Sequence, residues 1–197
     1  MLHTKTTTIL LRRLHDHADQ TVWDEFDARY RPILIGVAIR LGLSPEEASE
    51  AAQETLVQFL QDYRGHKYST EHGRLRSWLI GICRHRVIDV LRRRHRKGRG
   101  DSIIANLPDE QAISITWDQE QQRQIYDQSL AKLRDGGRIN EQTIEVFELV
   151  ALKGVPALSV ADTTGLDVSE VYRIKHRVTR RLREIVEEMT QAYQMQD

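Results

Sequence analysis

No run of eighteen apolar residues occurs anywhere in this chain, so it offers no segment able to cross a bilayer as a helix. The N-terminus, MLHTKTTTIL, lacks the charged start, apolar centre and small-residue cleavage site of a secretory signal. Cysteine is almost missing: Cys83 stands alone, which excludes an internal disulfide and fits a reducing cytosol. A cytoplasmic protein is therefore expected. Proline and glycine, 4 and 11 among 197 residues, hardly enter the periodic stretches, and no convincing alternating strand appears. Catalytic signatures are absent as well. There is no P-loop, dinucleotide fingerprint, nucleophile elbow or His-Glu-x-x-His. The pairs His15-x-His17 and Cys83-x-His85 each lack a second pair at structural-zinc spacing. Cys83 falls towards the apolar side of its helix, where a buried thiol is the better reading. Neither a metal, another cofactor nor an enzyme activity is expected.

Excess charge is the last absence: the formal total is zero. Taken alone, that argues weakly against nucleic acid. The distribution argues the other way. Basic residues concentrate at Arg84–Arg99 and Arg173–Arg183, while Glu46–Glu54 and Asp101–Glu120 carry much of the acid. Opposed blocks that cancel suggest several partners of different sign.

What is present is helical periodicity. It predicts helices near 8–18, 21–41, 45–63, 74–96, 118–134, 141–153, 157–163 and 168–190, with Pro32 restarting or kinking the second. Ser44-Pro45-Glu46-Glu47 is a strong helix start, with a capping serine, proline in the first position and acid in the first turn. Residues 98–117 break the period with Gly98, Gly100 and Pro108 and read as a flexible linker. Extended at ~3.3 Å per residue they span roughly 65 Å. The fold class is all-α: two small helical domains, 8–97 and 118–190, joined by 98–117.

Residues 157–183, ALSVADTTGLDVSEVYRIKHRVTRRLR, form a short helix, a turn at Gly165 and a second helix for which Asp167 is placed as a cap. On that helix Val171, Ile174, Val178, Leu182 and Ile185 make one apolar stripe. Opposite it lie Ser169, Arg173, His176 and Arg180, flanked by Tyr172, Arg177 and Arg183, with no acid between 172 and 183. A helix-turn-helix presenting guanidiniums outward suits a DNA major groove. A solvated basic face on an ordinary bundle helix is the plainer alternative.

In the first domain, Ala48, Ala52, Thr55, Leu56, Phe59 and Tyr63 make the buried stripe of helix 45–63. Glu46, Glu50, Gln53, Glu54, Val57 and Gln61 point the other way. Periodicity leaves two readings open for Val57: a stray surface valine, or the apolar centre of a partner-binding patch. Helix 74–96 sets an apolar side (Leu75, Trp78, Leu79, Ile82, Val87, Val90, Leu91) against Arg84, His85, Arg92 and Arg96, and Arg93, Arg94, Lys97 and Arg99 extend the charge. A phosphate backbone is the obvious counterpart for so many cations. The loop YRGHKYSTEHG between the helices could accept an unstacked base, although from the residues alone a plain surface loop is the better reading.

Four segments in this order resemble the bacterial sigma factors of the extracytoplasmic-function group, the small members of the sigma-70 family. SPEEASEAAQETLVQFLQDY is similar to their polymerase-binding helix, with Gln53-Glu54 where a Gln-Glu or Gln-Asp pair is usual. GRLRSWLIGICRHRVIDVLRRRHR is similar to the helix engaging the −10 element, LPDEQAISITWDQE to the acidic connector, and VADTTGLDVSEVYRIKHRVTRRLREI to the −35-reading helix-turn-helix. Ser169-Glu170-Val171-Tyr172 departs from the frequent Gly-Thr-Val-Lys, Phe59 stands where Trp is common, and Thr163-Thr164-Gly165 replaces the usual Leu-Gly ending. The resemblance covers residues 10–190. It implies a transcription initiation factor that binds core RNA polymerase through Glu46, Glu50, Gln53, Glu54, Val57 and Gln61, a role that makes Val57 a contact. It also implies −10 DNA contacts from Tyr68, Arg74, Arg76, Trp78, Arg84, His85, Arg92 and Arg96. The −35 contacts fall to Ser169, Tyr172, Arg173, His176, Arg177, Arg180 and Arg183. An anti-sigma factor is an implied further partner, and the free protein is expected to be a monomer. A dimeric one-component helix-turn-helix regulator and a helical adaptor without DNA binding are the rival readings.

Overall fold

A computed structural model describes residues 7–14, 20–67, 74–96, 109–136 and 139–193. Every regular element among them is helical. In order these are α1 (Thr7–Leu14), α2 (Gln20–Arg40), α3 (Pro45–Arg64), α4 (Leu75–Arg96), α5 (Glu110–Asp135), α6 (Glu141–Phe147), α7 (Ala157–Thr164) and α8 (Val168–Tyr193). The chain divides into two compact units at the bond between Gln124 and Ile125, inside α5.

The first unit is organised by α3, which packs on both α2 and α4. Its start follows the sequence signal. Ser44 Oγ accepts from the Glu47 amide, Glu47 Oε2 accepts from the Ser44 amide, and Pro45 occupies the first turn. Pro32 is accommodated inside α2, which is a single helix from Gln20 to Arg40. The expected stripe of α3 is buried in full: Ala48, Ala52, Thr55, Leu56, Phe59 and Tyr63. Phe59 stacks on Phe26 at 5.2 Å between ring centroids and on Tyr63 at 5.8 Å, and Phe26 meets Tyr30 at 4.7 Å. Each such side chain, fully buried, contributes about 1.5–3 kcal/mol by removing apolar area from water. Burial also raises the Tyr63 phenol above its ordinary value, and its hydroxyl donates to the Leu11 carbonyl at 2.7 Å, tying α1 to α3.

Cys83 is buried, as its place on the apolar side of α4 predicts, and burial pushes its thiol up to about 12 despite an opposing hydrogen bond with Thr55. Raising a thiol from 9 to 12 leaves on the order of a thousandfold less thiolate at pH 8. Iodoacetamide at pH 8 is therefore expected to label Cys83 only as fast as the domain opens. Labelling as rapid as in urea would contradict the burial. The unfolded thiol ionises near 9 and the folded one near 12, so the fold weakens as pH rises through that interval.

One expected boundary is corrected. The helix expected at 118–134 begins at Glu110, where Asp109 Oδ1 accepts from the Ala112 amide at 2.8 Å. Residues 110–117, read from sequence as the end of the linker, are thus helical, and Ile113 and Trp117 are each 1 % exposed. Trp117 stacks on Tyr30 of α2 with centroids 6.4 Å apart. The carboxylate of Glu120, 6 % exposed, accepts from Arg40 Nε at 2.5 Å. The first half of α5 therefore belongs to the first unit.

In the second unit, α8 lays Val171, Ile174, Val178, Leu182, Ile185, Met189 and Ala192 against α6 and α7. Asn140 caps α6 by accepting from the Thr143 amide at 2.8 Å. Beyond Phe147 the helix widens into a π-turn over Glu148–Leu152, where the periodicity predicts α-helix to 153. Gly165 ends α7 at φ 69°, a left-handed conformation that costs glycine nothing, and its amide donates to the Ala161 carbonyl at 2.9 Å. Asp167 stands directly before α8, its carbonyl accepting from the amides of Glu170 and Val171 at 2.9 and 3.0 Å. Lys132 of α5 holds Glu188 of α8 at 2.7 Å and lowers the Glu188 carboxyl below its ordinary value.

Candidate polymerase and nucleic-acid interfaces

The capping box and buried stripe of α3 fix which of its residues face outward. Glu46, Glu50, Gln53, Val57 and Gln61 are exposed and Glu54 is half-exposed. Val57 is 42 % exposed, so the apolar side chain at the centre of this acidic face has no cover of its own. An open groove runs along it, lined by Glu50, Gln53, Glu54, Val57, Gln58, Gln61 and Arg86. The six residues expected from the sequence share one side of α3, and all but Glu46, which lies near the helix start, border the groove.

Arg86 is a groove residue that the sequence does not single out. From α4 it reaches Glu54 Oε2 at 3.6 Å and donates to Gln58 Oε1 at 3.3 Å. Charge pattern alone does not separate it from Arg84, because both follow the same apolar stretch; only the pairing of α3 with α4 does. A second open groove continues from Glu54 and Arg86 past Asp89, Arg92, Arg93, His95 and Arg96. Arg94 is diverted from this set: it pairs with Glu47 and donates to the Gly42 carbonyl at 3.1 Å, fastening the end of α4 to the start of α3.

The residues expected for −10 contacts fall into two groups. Arg92 and Arg96 are exposed in the second groove, with His85 exposed and Arg84 half-buried two to three turns earlier on α4. At the other end of the helix, Arg74 is exposed and Trp78 half-buried. Arg76 is engaged inside the unit, by Asp118 at 2.5 and 3.0 Å and by the Ser114 carbonyl at 2.7 Å and hydroxyl. At ~1.5 Å per residue Arg76 and Arg96 lie roughly 30 Å apart along α4, and the nearest members of the two groups, Trp78 and Arg84, roughly 9 Å. Tyr68, Lys97 and Arg99 lie outside the described residues, as does the His15-x-His17 pair.

On α8, Ser169, Tyr172, Arg173, His176, Arg177, Arg180 and Arg183 are all exposed, and the apolar stripe holds the opposite side down. Arg173 is paired with Glu170 at 2.7 Å, an acid one turn back that the run from 172 to 183 does not include. Exposed pairs of this spacing are worth only ~0.3–0.5 kcal/mol and yield readily to a phosphate or base. Among the described residues no three His, Cys, Asp or Glu side chains converge as metal ligands, and no helix is long and apolar enough to cross a membrane.

Residues 26–97, from α2 to the end of α4, match the family model of sigma-70 region 2. That match defines the class of the first unit's helical core, the part that carries the acidic groove and the basic helix. Together with the curated relative that follows, it supports a place in the sigma-70 family, in its extracytoplasmic-function group. Among curated relatives it is similar to the ECF RNA polymerase sigma factor RpoE of Cereibacter sphaeroides, with 22 % identity over 129 residues, 66 % of this chain and 70 % of the relative. It is also similar to the solved structure of CnrH in complex with the cytosolic domain of CnrY, at 17 % identity and a TM-score of 0.37, covering 91 % of this chain and 96 % of that one. The one-component regulator is not favoured by the region 2 match or by the curated relative.

Proposed function

We infer that this protein is a sigma-type initiation factor that docks on core RNA polymerase through the outward face of α3 and carries the enzyme to promoters. The observation that carries the reading is Val57, exposed at the centre of a ring of carboxylates and amides on a helix whose other side is fully buried. An apolar centre with a charged rim is the anatomy of a protein interface. The basic groove of α4, with Tyr68, holds the opened −10 strand by phosphate neutralisation and base capture, which offsets the few kcal/mol spent on each extruded base. The exposed side of α8 enters the major groove at −35. The stretch before α5 acts as the acidic connector, and an anti-sigma factor competes for these surfaces. The protein lends specificity to an enzyme that already has the chemistry.

The two ends of the recognition face have different work. Arg173 lies in the first turns of α8, where side chains reach base edges, and Arg183 lies three turns on, where they meet phosphate. Arg173→Ala is expected to cost ~1–3 kcal/mol and to relax specificity at one −35 position. Arg183→Ala is expected to weaken every promoter alike and to lower the salt slope by about one. Binding across a library of −35 variants, at two salt concentrations, checks this division. Indistinguishable profiles for the two substitutions would refute it.

A further inference from the structure

We propose that the first half of α5 is a built-in clasp that occupies Arg76 until single-stranded DNA displaces it. Arg76 offers its planar fork to both oxygens of Asp118, at 2.5 and 3.0 Å, and to the Ser114 hydroxyl and, at 2.7 Å, its carbonyl. A guanidinium presents the same fork to a phosphate, so Asp118 and Ser114 hold it as a nucleic-acid backbone would. One guanidinium cannot serve both partners at once.

The segment that supplies these groups is anchored independently of them. Ile113 and Trp117 are buried, Trp117 against Tyr30, and Glu120 lies over α2 with its carboxylate accepting from Arg40 Nε at 2.5 Å. A seat for that carboxylate exists because residue 36 is glycine: a Cβ there would collide with Glu120 Oε2. The clasp itself is at the surface, with the Arg76 side chain 33 % and Asp118 52 % exposed. Exposed ion pairs are weak and screened by salt. Buried anchor and exposed clasp together make a device that a polyanion opens at Arg76 without unseating Trp117. The inference rests on the proposal that Arg76 contacts the −10 strand.

The test is binding of the full-length chain to fluorescein-labelled single-stranded dodecamers of randomised sequence, at low salt. Asp118→Asn with Ser114→Ala is expected to bind three- to tenfold more tightly than the natural sequence. Adding Arg76→Ala is expected to erase that gain. Glu110→Gln removes the same charge from the same helix outside the clasp and is expected to bind as the natural sequence does. Should the double variant melt early, Asp118→Asn alone carries the test, with a gain of at least twofold expected. An equal gain from Glu110→Gln would overturn the clasp, reducing it to general repulsion. Unchanged binding by the double variant, with Arg76→Ala weakening the natural sequence, would overturn the clasp and leave the −10 reading standing. No effect of Arg76→Ala in either background would overturn both.

Discussion

Changing Glu54→Lys together with Val57→Asp is expected to leave the protein folded and to abolish its assembly with core RNA polymerase. Both side chains sit on the outward side of α3, away from the Ala48–Phe59 stripe, so neither contributes to the core. Glu54 gives up one long ion pair, 3.6 Å from Arg86, with its side chain 43 % exposed. Losing such a pair costs about 0–1 kcal/mol, a fall in melting temperature of a few degrees at most for a domain of this size. Assembly answers to different terms. An aspartate at the apolar centre of an interface must be desolvated without a partner, and a lysine in place of Glu54 reverses the charge of its rim. Native helical content and near-native melting, with no co-elution of the variant with core enzyme and no directed transcription, is the expected result. Normal assembly by the folded variant would remove α3 as the docking face.

Phe59→Ala is expected to have the opposite profile. Phe59 is fully buried between Phe26 and Tyr63, on the helix that packs against both α2 and α4. Truncating a buried phenylalanine removes its transfer free energy and leaves a cavity, together costing about 3–5 kcal/mol. At ~4–8 °C per kcal/mol that lowers the melting temperature of the first unit by at least ~12 °C. Thermal unfolding followed by circular dichroism checks it. A loss below ~1 kcal/mol would mean that the aromatic cluster does not carry this core. Since the outward residues of α3 are untouched, polymerase binding at low temperature is expected to persist in whatever fraction stays folded.

The helices were legible wherever one face is apolar and the termini carry punctuation. Ser44-Pro45-Glu46-Glu47 located the start of α3, Gly165 the end of α7, and the stripe from Val171 to Ile185 the inner side of α8. The beginning of α5 was hidden by composition. Pro108 and the acid around it read as linker, although Asp109 directly after a proline is itself a cap signal. The inward positions Ile113, Trp117 and Glu120 do recur at helical spacing, but a carboxylate at the third breaks the apolar pattern. Only the fold shows that Arg40 receives it over Gly36. Likewise the family resemblance implies a DNA contact for Arg76 with no sign that Asp118, more than forty positions away in sequence, pairs with it. Long-range ion pairs leave no periodic trace. The π-turn at Glu148–Leu152 is one extra residue in a helix that otherwise keeps its period, and local propensity does not distinguish it.

The most direct test of the central claim is transcription. Purified protein is added to core RNA polymerase from its own bacterium on fragmented genomic DNA, and the 5′ ends of the transcripts are mapped. A sigma factor converts the core from diffuse initiation to a small set of start sites that share paired elements near −10 and −35, and these sites vanish with the Glu54→Lys, Val57→Asp variant. Start sites unchanged from those of core enzyme alone, with the protein folded and in excess, would contradict the account.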